Sequence, residues 1–355
     1  MGEQSHIEWT THTFNPWEGC TKVSPGCAHC YAEARNIRFA AGANWGPGAP
    51  RRRTSDSYWN GPRRWNASEQ KAVDEYGPRP ARIPPPRVFC ASLADWLDDE
   101  VPIEWLADLL ELIHQTPLLE WQLLTKRPQN WSRRVARALS LDLARIGRKE
   151  FNAEYLDWCA AWLNGVAPAN VWVGTTVEDQ QRANERIPAL LSIPAKIRFL
   201  SCEPLLSALD LTVWLHPDGR CGECLKLIEV RHTSVSCDCC CEGPEPTSTR
   251  KDLIDWIICG GESGRSARPM NPDWARSLRK QCEEAGVAFF FKQWGEWVRD
   301  SDILNAAIWS GVETATQLVP YGDSDPTNFR RVYRVGKIRA GRLLDGKEHN
   351  AFPDR

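Results

Sequence analysis

Net charge is the first thing this chain lacks: 44 Lys and Arg against 46 Asp and Glu leave −2 at pH 7 over 355 residues. A basic footprint over the whole surface is thereby excluded, and only local basic patches remain for a nucleic acid. Long apolar runs are also missing. None approaches the ~20 residues that span a bilayer, and Met1-Gly2-Glu3-Gln4-Ser5-His6 lacks a charged-then-apolar leader pattern. The expectation is a cytoplasmic protein with no membrane partner. Familiar catalytic signatures are absent too. There is no HExxH and no G-x-S-x-G, and Gly260-Gly261-Glu262-Ser263-Gly264 lacks the GK[ST] ending of a P-loop.

Cysteine is plentiful, at fourteen residues, and so is tryptophan, at eighteen. A disulfide framework suits small secreted chains, whereas clustered cysteines in a long cytoplasmic chain read as metal ligands. Most tryptophans are expected in the core, which the 42% hydrophobic content makes sizeable. The densest cluster is Cys20, Cys27 and Cys30, spaced C-x6-C-x2-C around Ser24-Pro25-Gly26. A CxxC lets two thiolates reach one metal centre, and the turn brings round a third. Zinc and ordinary electron-transfer clusters want four ligands, so three local ones leave an iron open for chemistry. The competing reading is a zinc knuckle completed by His29 or His12.

The loop resembles a variant of the radical S-adenosylmethionine (radical SAM) motif, in which three cysteines hold a [4Fe-4S] cluster and SAM takes the fourth iron. Ile7-Glu8-Trp9-Thr10, Asn15-Pro16-Trp17 and the cysteine loop further resemble a phage-associated, poorly characterised three-cysteine family, in patches as far as Gly341-Arg342-Leu343-Leu344-Asp345-Gly346. Two departures stand out. The first gap is six residues where the standard motif has about three, and His29 occupies the usual aromatic position.

Residues 6–10 read as a first strand and Ala32 to Ala41 as the helix after the loop. Residues 43–86, rich in Pro, Gly and Arg, read as an irregular excursion. Their Arg51-Arg52-Arg53, Tyr58-Trp59 and Arg63-Arg64-Trp65 could grip phosphates and stack bases; the alternative is a solvated loop pinned by aromatics. Apolar strands are expected at 87–92, 121–125, 171–176, 197–201, 253–258 and 288–291, with helices between them. Pro102 starts one helix, residues 131–166 look helical, and Asn271-Pro272 and Gly286 bound another. Alternation of this kind means α/β with a parallel sheet covered on both faces. The fold is a partial or complete TIM-type (β/α) barrel, with a doubly wound open sheet as the alternative; the radical SAM resemblance favours a partial barrel. The expected barrel covers 1–215 and 247–297, followed by a C-terminal extension over 298–355.

Polar residues recur after these strands: Ser92 and Asp95, Thr125 and Lys126, Thr176 and Glu178, Ser201 and Glu203, Glu262 and Ser263, Lys292 and Gln293. Active sites of parallel α/β folds sit at that edge. By the resemblance, Ser92, Thr176, Glu178, Ser201, Glu203, Gly260, Gly261 and Glu262 are the SAM-binding candidates. Arg127, Arg265 and Arg268 could meet a carboxylate or phosphate. Cys202, Lys292 and Gln293 are candidate catalytic groups, with Cys90 as another hydrogen donor.

Residues 216–246 interrupt the alternation with Cys221-x2-Cys224 and Cys237-x2-Cys240, flanked by Cys239 and Cys241. Paired CxxC motifs read as a zinc-ribbon-like insertion with a structural Zn²⁺, or as an auxiliary iron–sulfur cluster. Near the end, Arg330-Arg331-Val332-Tyr333-Arg334 reads as a basic strand. Together these imply a radical SAM iron–sulfur enzyme that abstracts hydrogen through a 5′-deoxyadenosyl radical, fed by an electron donor. Nucleic acid is the expected substrate, for base modification or for repair in the manner of spore photoproduct lyase, and a partner protein is possible. The alternative is a non-catalytic, zinc-stabilised nucleic-acid-binding protein.

Overall fold

Runs of Val, Ile, Phe and Trp become the parallel strands of the fold. The computed structural model describes residues 4–80, 82–144, 153–215, 229–231, 234–236, 253–299, 316–320 and 329–354. The chain divides into two units, one of residues 1–176 with 192–197, the other of residues 177–191 with 198–355.

The first unit opens with β1 (His12–Thr13), β2 (Trp17–Glu18), α1 (Tyr31–Ala40), β3 (Arg52–Arg53) and α2 (Asp56–Tyr76). It continues with β4 (Arg87–Cys90), α3 (Ile103–His114), β5 (Glu120–Thr125), α4 (Trp131–Ala144), α5 (Ala153–Leu163) and β6 (Val171–Thr176). β1, β4, β5 and β6 pair in that order, all parallel. Their side chains are buried almost without exception, which is why they read as continuous apolar runs rather than alternating ones.

Two expectations change here. The first strand is His12–Thr13 rather than 6–10, because Thr10 N–H turns back to the Ile7 carbonyl at 3.2 Å. Residues 43–86 are not irregular throughout: α2 runs 21 residues through Gly61 and Pro62. Ser55 caps it, accepting from Tyr58 N–H, and Asp56 complements the dipole of its first turn. Trp59, Pro62 and Trp65 lie three residues apart along α2 and are buried. Burial of that stripe outweighs the propensity cost of glycine and proline.

The second unit holds α6 (Gln180–Leu191), β7 (Ile197–Cys202), α7 (Thr212–Leu215), β8 (Glu229–Arg231), β9 (Ser234–Ser236), β10 (Trp256–Gly260), α8 (Pro272–Ala285) and β11 (Ala288–Gln293). After these come β12 (Trp297–Arg299), β13 (Thr316–Pro320), β14 (Phe329–Arg334) and α9 (Lys337–Ala340). β7, β10 and β11 pair in that order, parallel. α8 has the cap and stop expected of it, with Asn271 Oδ1 accepting from Asp273 N–H and Gly286 left-handed at φ +65°. The basic strand is β14, antiparallel between β12 and β13. The closing residues return to the sheet, where Phe291 N–H and Ala351 N–H exchange hydrogen bonds with the carbonyls of His349 and Phe289. That pairing covers the outer edge of β11.

Hydrogen-bonded order over the parallel strands is β1-β4-β5-β6-β7-β10-β11, rising with sequence throughout. A doubly wound sheet reverses direction at a switch point, and this one does not. No pairing joins β1 to β11 among the described residues, so the winding is that of a partial barrel. The paired cysteines Cys221, Cys224, Cys237 and Cys240, with Cys239 and Cys241, lie outside the described residues.

Candidate functional site: the cysteine loop and the strand ends

In the first unit the cysteine loop leaves β2 through Gly19. This glycine has φ +113°, and a Cβ there would fall 2.3 Å from the Asn44 carbonyl oxygen, so only glycine fits. Arg51 anchors the loop from beneath, its side chain fully buried. Its Nε donates to Asp98 Oδ2 at 2.8 Å, its Nη2 to Thr21 Oγ1 at 2.8 Å, and its Nη1 to the Ala49 carbonyl at 2.8 Å. Pro25–Cys27 makes a 3-10 turn in which Cys27 N–H bonds the Ser24 carbonyl at 2.9 Å, and α1 starts directly after Cys30.

Cys20, Cys27 and Cys30 are free thiols. Burial pushes the Cys20 thiol up to about 11; Asp95 and Asp98 push the same way, and Arg127 opposes them. Burial also raises Cys30, again with Cys27 adding to the rise while Lys126 opposes it. Arg127 Nη1 lies 3.5 Å from Cys20 Sγ and 3.0 Å from Asp95 Oδ2. Burial works against its charge, but Asp95, Cys20 and Asp98 outweigh that and raise its pKa.

A three-thiolate cluster fits the chemistry of this donor set. Three unpaired thiols lie in one loop, and the Arg127 guanidinium donates to one of them, Cys20 Sγ, at 3.5 Å. The geometry is not that of a closed cage: among the described residues no three His, Cys, Asp or Glu are drawn together as a metal-ligand set. Neither His12 nor His29 completes one. His12 stacks on Trp65 with ring centroids 4.2 Å apart, and His29 is exposed.

Nearby strand ends shape the same unit. Asn15 Oδ1 accepts from the backbone N–H groups of Ser92 and Leu93, each at 2.8 Å, and from Ser92 Oγ at 3.2 Å. The Tyr31 hydroxyl donates to the Ser92 carbonyl. Asp95 accepts from Thr125 Oγ1 at 2.6 Å and Lys126 N–H at 2.8 Å. Thr176, which ends β6, is buried.

The second unit collects the other candidates. Glu203, after β7, accepts from Lys292 Nζ at 2.9 Å and Gln293 Nε2 at 3.0 Å. Gly260 lies against it, since a Cβ there would touch the Glu203 side chain at 3.4 Å. Gly261 allows a closer backbone approach: its Cβ would fall 2.0 Å from the Trp294 carbonyl oxygen. Glu262 is engaged by Arg268, whose Nε donates at 2.8 Å. Fully buried Glu178 pairs with Arg186 at 2.9 Å. Ser201 is buried, and its carbonyl accepts from Val177 N–H at 3.0 Å. Glu203, Gly260, Gly261, Lys292 and Gln293 therefore meet at one strand edge, whereas Glu178 and Glu262 each face an arginine.

Cys202 and Cys90 are fully buried, and burial raises both thiols. Thiols so placed pack as small apolar side chains. Tyr58, Trp59 and Trp65, the aromatics expected to stack bases, are engaged within the fold. Trp59 and Trp65 are core, Tyr58 donates to the Thr13 carbonyl, and Arg53 lies 3.9 Å over the Trp59 ring. Asp98 and the anchoring role of Arg51 were not apparent from the sequence. The one signal available was the Asp95-x2-Asp98 spacing after β4.

The chain belongs to the family DUF5131. Its profile matches residues 4–353 and carries the description "protein of unknown function". No curated protein and no solved structure matches the chain. Membership of DUF5131 therefore accounts for nearly the whole sequence, cysteine loop and strand ends included, without assigning a reaction.

Proposed function

We propose that this DUF5131 protein is an iron–sulfur enzyme of the radical SAM type, with Cys20, Cys27 and Cys30 as the ligands of a [4Fe-4S] cluster. The observation that carries the proposal is three free thiols in one anchored loop, with Arg127 Nη1 donating to Cys20 Sγ at 3.5 Å. A parallel α/β scaffold places its polar residues where such folds build active sites. When bound, the cluster supplies one electron to cleave SAM, and an external donor replaces that electron.

The chain's own residues have definite parts. Gly19 and Arg51 hold the loop, and α1 begins directly after its last cysteine. Asn15 fixes the backbone of Ser92 at the neighbouring strand end. Glu203 presents a carboxylate with Lys292 and Gln293 donating to it, beside the close backbone approach at Gly260, and this set is the proposed holder of a polar ligand group. Cys221, Cys224, Cys237 and Cys240 are proposed to bind a structural Zn²⁺.

Nucleic acid is the proposed substrate class. It rests on the exposed arginines Arg38, Arg64 and Arg331 rather than on Trp59 and Trp65, which are core. Binding that weakens steeply as salt rises tests it, and salt-independent binding would sink it. The reaction class is tested by anaerobic reconstitution, with iron, sulfide and zinc counted per chain. About four irons and four sulfides at the loop are expected, lost in Cys27→Ala. Zinc at both cysteine groups would instead favour the non-catalytic binding protein.

A further inference from the structure

Arg127 occupies an unusual place for an arginine at a strand end. It is 6% exposed, and its guanidinium is held on several sides. Nη1 donates to Asp95 Oδ2 at 3.0 Å and to Cys20 Sγ at 3.5 Å, and Nη2 donates to the Thr21 carbonyl at 2.8 Å. Nη2 also lies 3.8 Å from Asp98 Oδ1. The backbone is held as well, since Arg127 N–H donates to Thr125 Oγ1 at 2.9 Å and that hydroxyl donates to Asp95 at 2.6 Å. A side chain restrained in this way cannot swing into solvent. Its charge and one N–H therefore stay on the Cys20 sulfur.

We propose that Arg127 is a positioning residue that sets the reduction potential of the cluster held by Cys20, Cys27 and Cys30, with Asp95 as the opposing charge. The proposal rests on the iron–sulfur reading. Reduction adds one electron to the cluster and no proton to Arg127, so the negative charge near Cys20 increases. A hydrogen bond to a ligating sulfur and a fixed positive charge both favour the more negative state and raise the potential. Water exclusion strengthens the effect, because charges interact more strongly in a low-dielectric site. Asp95 acts in the opposite sense and also holds Arg127 in place. The pair thus brackets the potential from both sides.

The test is a redox titration of the reconstituted full chain, followed by EPR, with dithionite as the electron source. Arg127→Met should lower the midpoint potential, by about tenfold in the oxidised-to-reduced ratio, or about 59 mV for one electron. Arg127→Lys should recover part of that shift. Asp95→Asn should move the potential upward. Opposite signs from the two partners are what a merely structural role would not produce, since either substitution loosens the same contact. Where Arg127→Met alone fails to fold because it strands Asp95, the double variant with Asp95→Asn removes both charges, and its potential should return towards that of the unmodified chain. Equal iron loading with unchanged potentials across the series would overturn the assignment of Arg127 and leave the cluster reading intact. Absence of a cluster in the unmodified chain would overturn the cluster reading and this inference together.

Discussion

Replacing Arg51 by Met should unfasten the cysteine loop at its base. Its guanidinium meets Asp98 at 2.8 Å and Glu100 at 2.9 Å and donates to Thr21 Oγ1 at 2.8 Å. Glu100 is partly exposed and can rehydrate; Asp98, with a side chain 3% exposed, cannot. Breaking a buried pair by removing one partner costs about 3–5 kcal/mol, because the other charge is left without compensation. Arg127 still lies 3.8 Å from Asp98, which places the expected cost at the low end, about 3 kcal/mol. For a unit of this size that is a fall of roughly 10 °C in Tm. The assay is chemical denaturation of Arg51→Met, Asp98→Asn and the double variant as a cycle. The double variant should recover a substantial part of the loss, since it removes the stranded carboxylate. A cost below about 1 kcal/mol for Arg51→Met, the value of an exposed pair, would refute the anchoring argument.

Three further outcomes follow from the same contacts. Cys20 is raised to about 11 in the folded, metal-free chain against an ordinary value of 9.0. The unfolded chain therefore loses that proton first as pH rises, and the stabilisation, full below pH 9, is lost between pH 9 and 11; denaturation curves for Cys20→Ser should lack about 3 kcal/mol of that decline. Gly261→Ala puts a Cβ 2.0 Å from the backbone oxygen of Trp294, and the strand ends of β10 and β11 must separate; a loss of about 1–3 kcal/mol or more is expected by thermal unfolding, and an unchanged Tm would contradict the close approach. Trp59→Ala should cost about 3–5 kcal/mol while leaving the salt dependence of nucleic-acid binding unchanged, and a stable variant with weakened binding would return the residue to an interface role.

From β4 onward the parallel strands were legible, because burial on both faces removes alternation and leaves unbroken apolar runs, as at Val171–Thr176 and Ile197–Cys202; the two-residue β1 was not. The helix over 272–285 was legible because its cap and stop are local features, at Asn271 and Gly286. α2 was not. Gly61 and Pro62 argue against a helix locally, and only the burial of Trp59, Pro62 and Trp65 reverses that balance. Strand order could not be read from periodicity, since barrel and open-sheet windings share the same alternation. At the candidate site, residue types and strand ends were visible in the sequence, but pairings were not. Arg51 stands 47 residues from Asp98, and Arg127 stands 107 from Cys20. Contacts over such separations leave no local pattern. The same holds for Glu203 and Lys292, which meet only because β7 and β11 flank β10.

The central claim is an open, three-cysteine iron–sulfur centre. EPR of the anaerobically reconstituted and reduced chain, with and without SAM, tests it most directly. A reduced-cluster signal that changes when SAM is added and disappears in Cys27→Ala is expected. Zinc alone at the cysteine loop, with no cluster signal after full reconstitution, would contradict it.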